Sequence, residues 1–240
     1  MSEKIVGIIG GMGPEATIDL MARVIRATPA LDDIDHIRLV VDNNPKVPSR
    51  IKALIEKTGE SPLTCLQEMA RKLADWGVDV LAMPCNTAHY YHPGIQGAVR
   101  IPVLDMIGLS VAAIIAGHPG LKTVGLLAST AVIDLQLYEK RFADKGVALI
   151  MPANGLQEGI MSTIRKIKTG RYGKEEGVAL QSASADLVNK GAEVLLVACT
   201  ELSIITGKID APIPCYDSAQ VLAEAIVQAA RKKERPLSNQ

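Results

Sequence analysis

The chain has 240 residues with 26 Lys+Arg against 26 Asp+Glu, so its formal net charge is zero. That balance argues against a generic nucleic-acid binder, which carries a basic excess on one face. Hydrophobic residues make up 48% but aromatics only 3%, and a core of Ala, Val, Ile and Leu is the usual filling of parallel sheets covered by helices. No apolar run reaches the roughly 18 residues of a membrane span, and the opening MSEKIVGIIGG lacks a signal-peptide layout. Four cysteines without dense spacing suit reduced thiols, so the expected setting is cytoplasmic.

In chain order, residues 5–9 read as a buried strand, dominated by Ile and Val and followed at once by glycines. Residues 15–27 read as a helix, with Pro14 at the start where a missing N–H is tolerated. A second strand is expected over 37–41, ending at the loop Asp42-Asn43-Asn44-Pro45. A helix over 62–76, stopped by Gly77, leads into a third strand over 78–83. This rhythm predicts a parallel sheet with right-handed crossovers.

An internal repeat sets the organisation. KIVGIIGGMG from Lys4 resembles KTVGLLASTA from Lys122, an offset of 118. GVDVLAMPCNT from Gly77 resembles GAEVLLVACTE from Gly191 (offset 114), and IPVLD from Ile101 resembles IPCYD from Ile213 (offset 112). Three segments in one order at nearly constant offset predict two similar α/β halves meeting near residue 106. A helix over 107–116 follows the first IPxxD motif, and one over 218–233 follows the second. If the last helix crosses back onto the first half, residues 1–106 plus 217–240 form one domain and 107–216 the other. Residues 234–240 are expected to fray.

Gly11-Met12-Gly13-Pro14-Glu15-Ala16 satisfies G-x-G-x-x-[GA] between a strand and a helix. It admits a dinucleotide site, a small-anion site on free helix N–H groups, or a tight turn alone. The acidic partner of a dinucleotide fits poorly. Asp42 lies 31 residues beyond Gly11 where about 20 is usual, while Asp32, Asp33 and Asp35 precede the second strand.

Cys85, in Met83-Pro84-Cys85-Asn86-Thr87-Ala88-His89, follows the third strand of the first half. Cys199, in Val197-Ala198-Cys199-Thr200-Glu201-Leu202, follows the corresponding strand of the second. Ligands of open α/β sheets bind beyond the carboxyl ends of strands. If the halves face one another, both thiols reach one cleft from opposite sides, an arrangement suited to removing a proton from one face of a carbon and returning one to the other. Asn86, Thr87 and Thr200 add hydrogen-bonding groups at turns whose N–H donors lower a thiol pKa, so a thiolate at neutral pH is attainable. Cys65, inside a helical stretch, and Cys215, which matches Val103, read as packing residues. No C-x-x-C occurs and His89-x-x-His92 sits too close behind Cys85 for a standard finger, so no metal site is expected. His89, Tyr91 and His92 are expected to line or flank the cleft.

At these residues the chain resembles the aspartate/glutamate racemases that work without pyridoxal phosphate. The matching stretches are GIIGGMGPEAT from Gly7, DNNPKVPSR from Asp42, MPCNTAH from Met83 and ACTEL from Ala198. The resemblance implies two pseudosymmetric parallel-sheet α/β domains with the active site between them, no cofactor, and a homodimer. It implies that Cys85 and Cys199 act as base and acid in either direction on an acidic amino acid, with L- and D-aspartate first and glutamate second. It gives Arg50, in Pro48-Ser49-Arg50, and Lys168, in Ile167-Lys168-Thr169-Gly170, to the side-chain carboxylate, with Lys166 as the competing lysine. Met12, Asn86, Thr87, Thr130 and Thr200 fall near the α-carboxylate and ammonium. The chain departs from glutamate racemases proper at Gly10-Gly11-Met12, where they carry an acid, and at Glu201, where they carry His; both departures favour the aspartate type. On the residues alone, Glu201 either orients Cys199, raises its pKa, or serves the first turn of its helix. Competing readings are a broad-specificity amino-acid racemase, a maleate isomerase, hydantoin racemase or arylmalonate decarboxylase, a dicarboxylate- or nucleotide-binding module without turnover, and an NAD enzyme.

Overall fold

The computed structural model describes residues 4–231. The expected fraying of 234–240, and the last two residues of the expected helix over 218–233, lie outside the described residues.

In the first half the strands are β1 (Val6–Gly10), β2 (Leu39–Asn43) and β3 (Val80–Ala82), in parallel order β2-β1-β3. The helices are α1 (Pro14–Ala27), α2 (Leu63–Asp75) and α3 (His92–Gln96). The connecting helix α4 (Met106–Gly117) leads to the second half. There, β4 (Thr123–Ala128) is followed by α5 (Thr130–Asp134), α6 (Glu139–Ala143), β5 (Ala148–Ile150), α7 (Asn154–Lys168) and α8 (Lys174–Asn189). Then come β6 (Val194–Ala198), α9 (Thr200–Ser203), β7 (Cys215–Asp217) and α10 (Ser218–Arg231), and the second sheet runs β5-β4-β6-β7, again parallel.

The repeat is visible in the register itself. Val6 pairs with Val80 in one sheet and Val124 with Val194 in the other. The fourth strand position, β7 in the second sheet, is a single parallel bridge in the first: Leu81 meets Val103 where Leu195 meets Cys215. Gly7 and Gly125 occupy equivalent places on the central strands. A Cβ there would come within 3.0 Å of Leu81 and Val78 in one half, and within 3.0 Å of Leu195 and Leu187 in the other. Glycine at these points makes room for side chains of the neighbouring strand and, in the second half, for Leu187 of α8.

Each sheet is covered on both faces, which is why β1, β3, β4 and β6 are nearly continuous runs of buried residues, while the edge strands β2, β5 and β7 are more exposed. One face of the first sheet packs Ile9 and Leu81 against Leu66, Met69 and Leu73 of α2. The other packs Val6, Ile8 and Val80 against Leu20 and Val24 of α1 and Leu222 and Ile226 of α10, so the final helix does return to the first sheet. Helix α4 buries Met106 in that core but Ile107, Val111 and Ile114 in the core of the second sheet. The opposite face of the second sheet is covered by Ile160, Ile164 and Ile167 of α7 and Leu180 and Leu187 of α8.

The strand expected over 37–41 begins and ends two residues later, because Asp42 and Asn43 pair with Ile9 and Gly10. Cys215 is a correction: it stands exposed on the edge strand β7, whereas its counterpart Val103 is buried. No helix among the described residues is long and apolar enough to cross a membrane.

Candidate active site

The glycine loop leaves β1 under tight constraint. Gly11 has φ +90, and a Cβ on it would lie 2.2 Å from the Asn44 backbone, so glycine is required by conformation and by close approach. Its N–H donates to Thr17 Oγ1 at 2.9 Å, and that hydroxyl donates to the Gly13 carbonyl at 3.2 Å. The loop donor that a phosphate would use is therefore occupied within the turn. Asp32 and Asp35 cap a short turn of their own, away from this loop.

Beyond β3, the chain turns at Cys85, which is buried. The Cys85 carbonyl accepts from His89 Nδ1 at 2.8 Å, and the Met106 N–H donates to His89 Nε2 at 3.1 Å. Because Nε2 accepts, the proton sits on Nδ1 and the ring is neutral. Burial pulls the His89 pKa down to about 4, in keeping with that state. His89 thus fixes the turn from behind.

Beyond β6, Cys199 opens α9 and is equally buried. Its Sγ lies 3.2 Å from Glu201 Oε2, and Lys168 Nζ lies 3.4 Å from Glu201 Oε1. That ion pair lacks hydrogen-bond geometry, so Oε1 is a buried acceptor with no hydrogen-bond partner among the described residues. Burial, then the Glu201 charge, push the Cys199 thiol well above its ordinary value, with Lys168 opposing. The Leu202 N–H of the turn does favour the thiolate, but desolvation and the neighbouring carboxylate outweigh it at Cys199. Burial pulls Lys168 down, but the charges of Glu201, Cys199 and Cys85 outweigh it and its pKa is raised.

The α9 turn is anchored by a buried network. Ser203 N–H and Oγ both donate to the Cys199 carbonyl, at 3.1 and 3.3 Å, and Ser203 Oγ also lies 2.6 Å from Asp217 Oδ1. Arg23 of α1 reaches across to Asp217 Oδ2 at 3.0 Å and donates to the Ser203 carbonyl at 2.7 Å.

The two thiols line one cavity of ≈ 50 Å³ together with Met12, Arg50, Asn86, Thr87, Lys168, Thr200 and Glu201. Of the residues that the resemblance gives to the reaction and the substrate, Cys85, Cys199, Met12, Arg50, Asn86, Thr87, Lys168 and Thr200 stand on its wall, and Thr130 does not; Ser129 lines the cavity beside it. Ser129 caps α5 directly after β4, while the Thr130 hydroxyl accepts from Gln157 at 3.4 Å. Lys168, not Lys166, reaches the cavity; Lys166 pairs with Glu176 at 2.6 Å. His89, Tyr91 and His92 flank the cavity rather than line it: His89 backs the Cys85 turn, Tyr91 is in the first core and His92 holds the Val103 carbonyl at 2.9 Å.

Arg50 lies in the loop between β2 and α2. Its guanidinium donates to the carbonyls of Pro48 at 3.1 Å and Met12 at 3.2 Å, and more distantly to Val47. It has no acidic partner among the described residues, so its charge faces the cavity uncompensated. Next to the cavity, across Met12, Arg50, Lys168 and Glu201, opens a second chamber of ≈ 270 Å³ walled by Pro45, Val47, Ile167 and Ile204.

Comparison with known proteins places the chain in a family. Residues 9–226 match the model of the Asp/Glu/Hydantoin racemase family. The chain belongs to that family. It is 29% identical over 226 residues to the broad specificity amino-acid racemase RacX of Bacillus subtilis (strain 168), covering 92% of this chain and 96% of that protein. It superposes on the aspartate racemase of Picrophilus torridus with TM-score 0.82 at 31% identity, over 97% of this chain and 96% of the other. The glutamate racemase isoform RacE1 of Bacillus anthracis shares the fold, with TM-score 0.62 at 17% identity over 95% and 81% of the two chains.

Proposed function

We propose that the protein is a cofactor-independent amino-acid racemase that interconverts L- and D-aspartate, and also glutamate, by two-base proton transfer between Cys85 and Cys199. The observation that carries this reading is the pair of buried thiols on one cavity wall, each delivered by an equivalent strand end, beside an arginine that has no acidic partner among the described residues. In one direction the Cys85 thiolate removes the α-proton from one face of the substrate. The Cys199 thiol donates its proton to the other face, leaving Cys85 protonated and Cys199 ionised. The reverse reaction uses the same groups with roles exchanged. Burial and Glu201 keep Cys199 protonated, which suits the acid in the first direction, and Lys168 offsets the charge left on it afterwards.

The α-proton of an amino acid is a very weak acid, so the site must stabilise negative charge growing on the α-carboxylate. Donors at the Asn86-Thr87 and Thr200-Glu201 turns, which line the cavity, would do that work. Arg50 and Lys168 would hold the side-chain carboxylate, Arg50 through its planar fork. Binding energy from that distal group then supports reaction at Cα.

A second reading, a broad-specificity racemase, is favoured by the adjoining chamber, whose apolar walls leave room beyond Arg50 and Lys168 for side chains larger than that of aspartate. Proton NMR in D2O of the reduced protein with a panel of acidic, neutral and basic amino acids decides between them. Loss of the Hα signal for aspartate and glutamate alone supports the first reading, and exchange across the panel supports the second. No exchange with any amino acid overturns both.

A further inference from the structure

Tyr138 lies between α5 and α6, is wholly buried, and stacks on Phe142 with ring centroids 6.4 Å apart. It belongs to the second half, yet its hydroxyl donates to Oδ1 of Asn86, the residue after Cys85, at 2.5 Å. Asn86 Nδ2 in turn donates to Ser218 Oγ at 3.0 Å, where α10 begins. The amide is held at both ends, by residues 52 and 132 positions away. A contact of opposite sense joins the other turn: Thr200, the residue after Cys199, donates through Oγ1 to the Pro84 carbonyl at 3.2 Å. The residue following each cysteine is therefore tied across the cleft.

We propose that Tyr138 is a positioning residue that acts through Asn86, setting which atoms the Cys85 turn presents to a substrate carboxylate. The inference rests on the two-cysteine reaction proposed above. Asn86 is on the cavity wall, and an amide can present either its oxygen or its nitrogen. A carboxylate is repelled by the oxygen and bound by the N–H. The phenol takes the oxygen and Ser218 takes one hydrogen of Nδ2, so the second hydrogen of that nitrogen is the one Asn86 can offer toward the cavity, and a hydrogen bond to Oδ1 polarises the amide so that this N–H donates more strongly. Removing the hydroxyl leaves a buried acceptor unsatisfied and frees the amide to turn over. Burial pushes the phenol pKa up, so the hydroxyl remains a donor across the ordinary pH range.

Tyr138→Phe removes the hydroxyl and keeps the ring against Phe142. The expected result is a kcat roughly ten- to hundredfold lower with a smaller change in KM, since the charge on the carboxylate grows toward the transition state. In an Asn86→Ala background the same change is expected to add nothing. Phe142→Leu disturbs the packing but keeps the hydroxyl, and is expected to lower the melting temperature without the kcat loss. A measurement independent of turnover is the alkylation rate of Cys85 by iodoacetate relative to iodoacetamide, read by mass spectrometry. Tyr138→Phe should lower that ratio, because only the acid reagent uses the carboxylate donors. An unchanged ratio, a wild-type kcat, or multiplicative losses in the double variant would overturn the proposal. A wild-type protein that exchanges no α-hydrogen overturns the reaction reading instead, and the alkylation ratio still judges Tyr138.

Discussion

The two cysteine turns occupy equivalent places in equivalent sheets, yet they are not copies. Around Cys85 the neighbours along the chain are neutral: Asn86, Thr87, and a His89 whose ring is uncharged and bonded to the Cys85 carbonyl. Around Cys199 they are charged, with Glu201 3.2 Å from the sulfur and Lys168 paired to Glu201. The lesson is that the repeat places the thiols, while local substitutions set different charges around them: burial and Glu201 raise the Cys199 pKa, and no such carboxylate follows Cys85 in its turn.

The largest effect expected is on the thiols. Cys85→Ser or Cys199→Ser should each lower racemisation of aspartate by at least about a thousandfold, because a hydroxyl is far less acidic than a thiol. Coupled polarimetric assay of the purified variants checks this. Arg50→Ala should cost roughly ten- to hundredfold in kcat/KM for aspartate, with little loss for a neutral amino acid. An equal loss for both would remove its role in selecting a carboxylate.

The charge contrast between the turns predicts a smaller, signed effect. Glu201 raises the Cys199 pKa and Lys168 lowers it. Glu201→Gln should therefore speed alkylation of Cys199 at pH 7.5 by roughly three- to tenfold, and Lys168→Ala should slow it. Mass-spectrometric time courses read both, and the same sign for the two variants would contradict the assignment.

The last effect is on stability rather than on rate and concerns the neutral turn. His89 is pulled from 6.5 to about 4 in the folded chain. Below pH 6.5 the unfolded chain takes up a proton that the folded chain refuses until about pH 4, so stability is lost as pH falls through that window. The loss amounts to about 3 kcal/mol. Urea unfolding of His89→Asn should show lower stability at pH 7.5 but a shallower decline between pH 6.5 and 4.

Much of this was legible from the chain alone. Offsets between the repeated motifs reappear as matched strand registers, Val6 with Val80 and Val124 with Val194, because hydrophobic runs and glycines encode local structure. That Cys85, Cys199, Arg50 and Lys168 share one cavity wall was legible because their motifs sit at strand ends and in the loops beside them. What sequence reading missed depends on contacts between the halves. Tyr138 meets Asn86 across 52 positions, and Arg23 reaches Ser203 across 180; neither leaves a periodic signal. Ser129 was missed for a local reason, since it takes the capping place at the end of β4 and turns Thr130 away from the cavity. The position of His89 behind the turn depends on the Met106 N–H, which only the folded chain supplies.

The most direct test of the central claim is α-hydrogen exchange in D2O by Cys85→Ser and Cys199→Ser, each given L-aspartate and D-aspartate separately. If the thiols serve opposite faces, each variant retains exchange of one enantiomer, and the two variants retain opposite ones. Both variants exchanging the same enantiomer, or either one still racemising at the wild-type rate, would contradict the account.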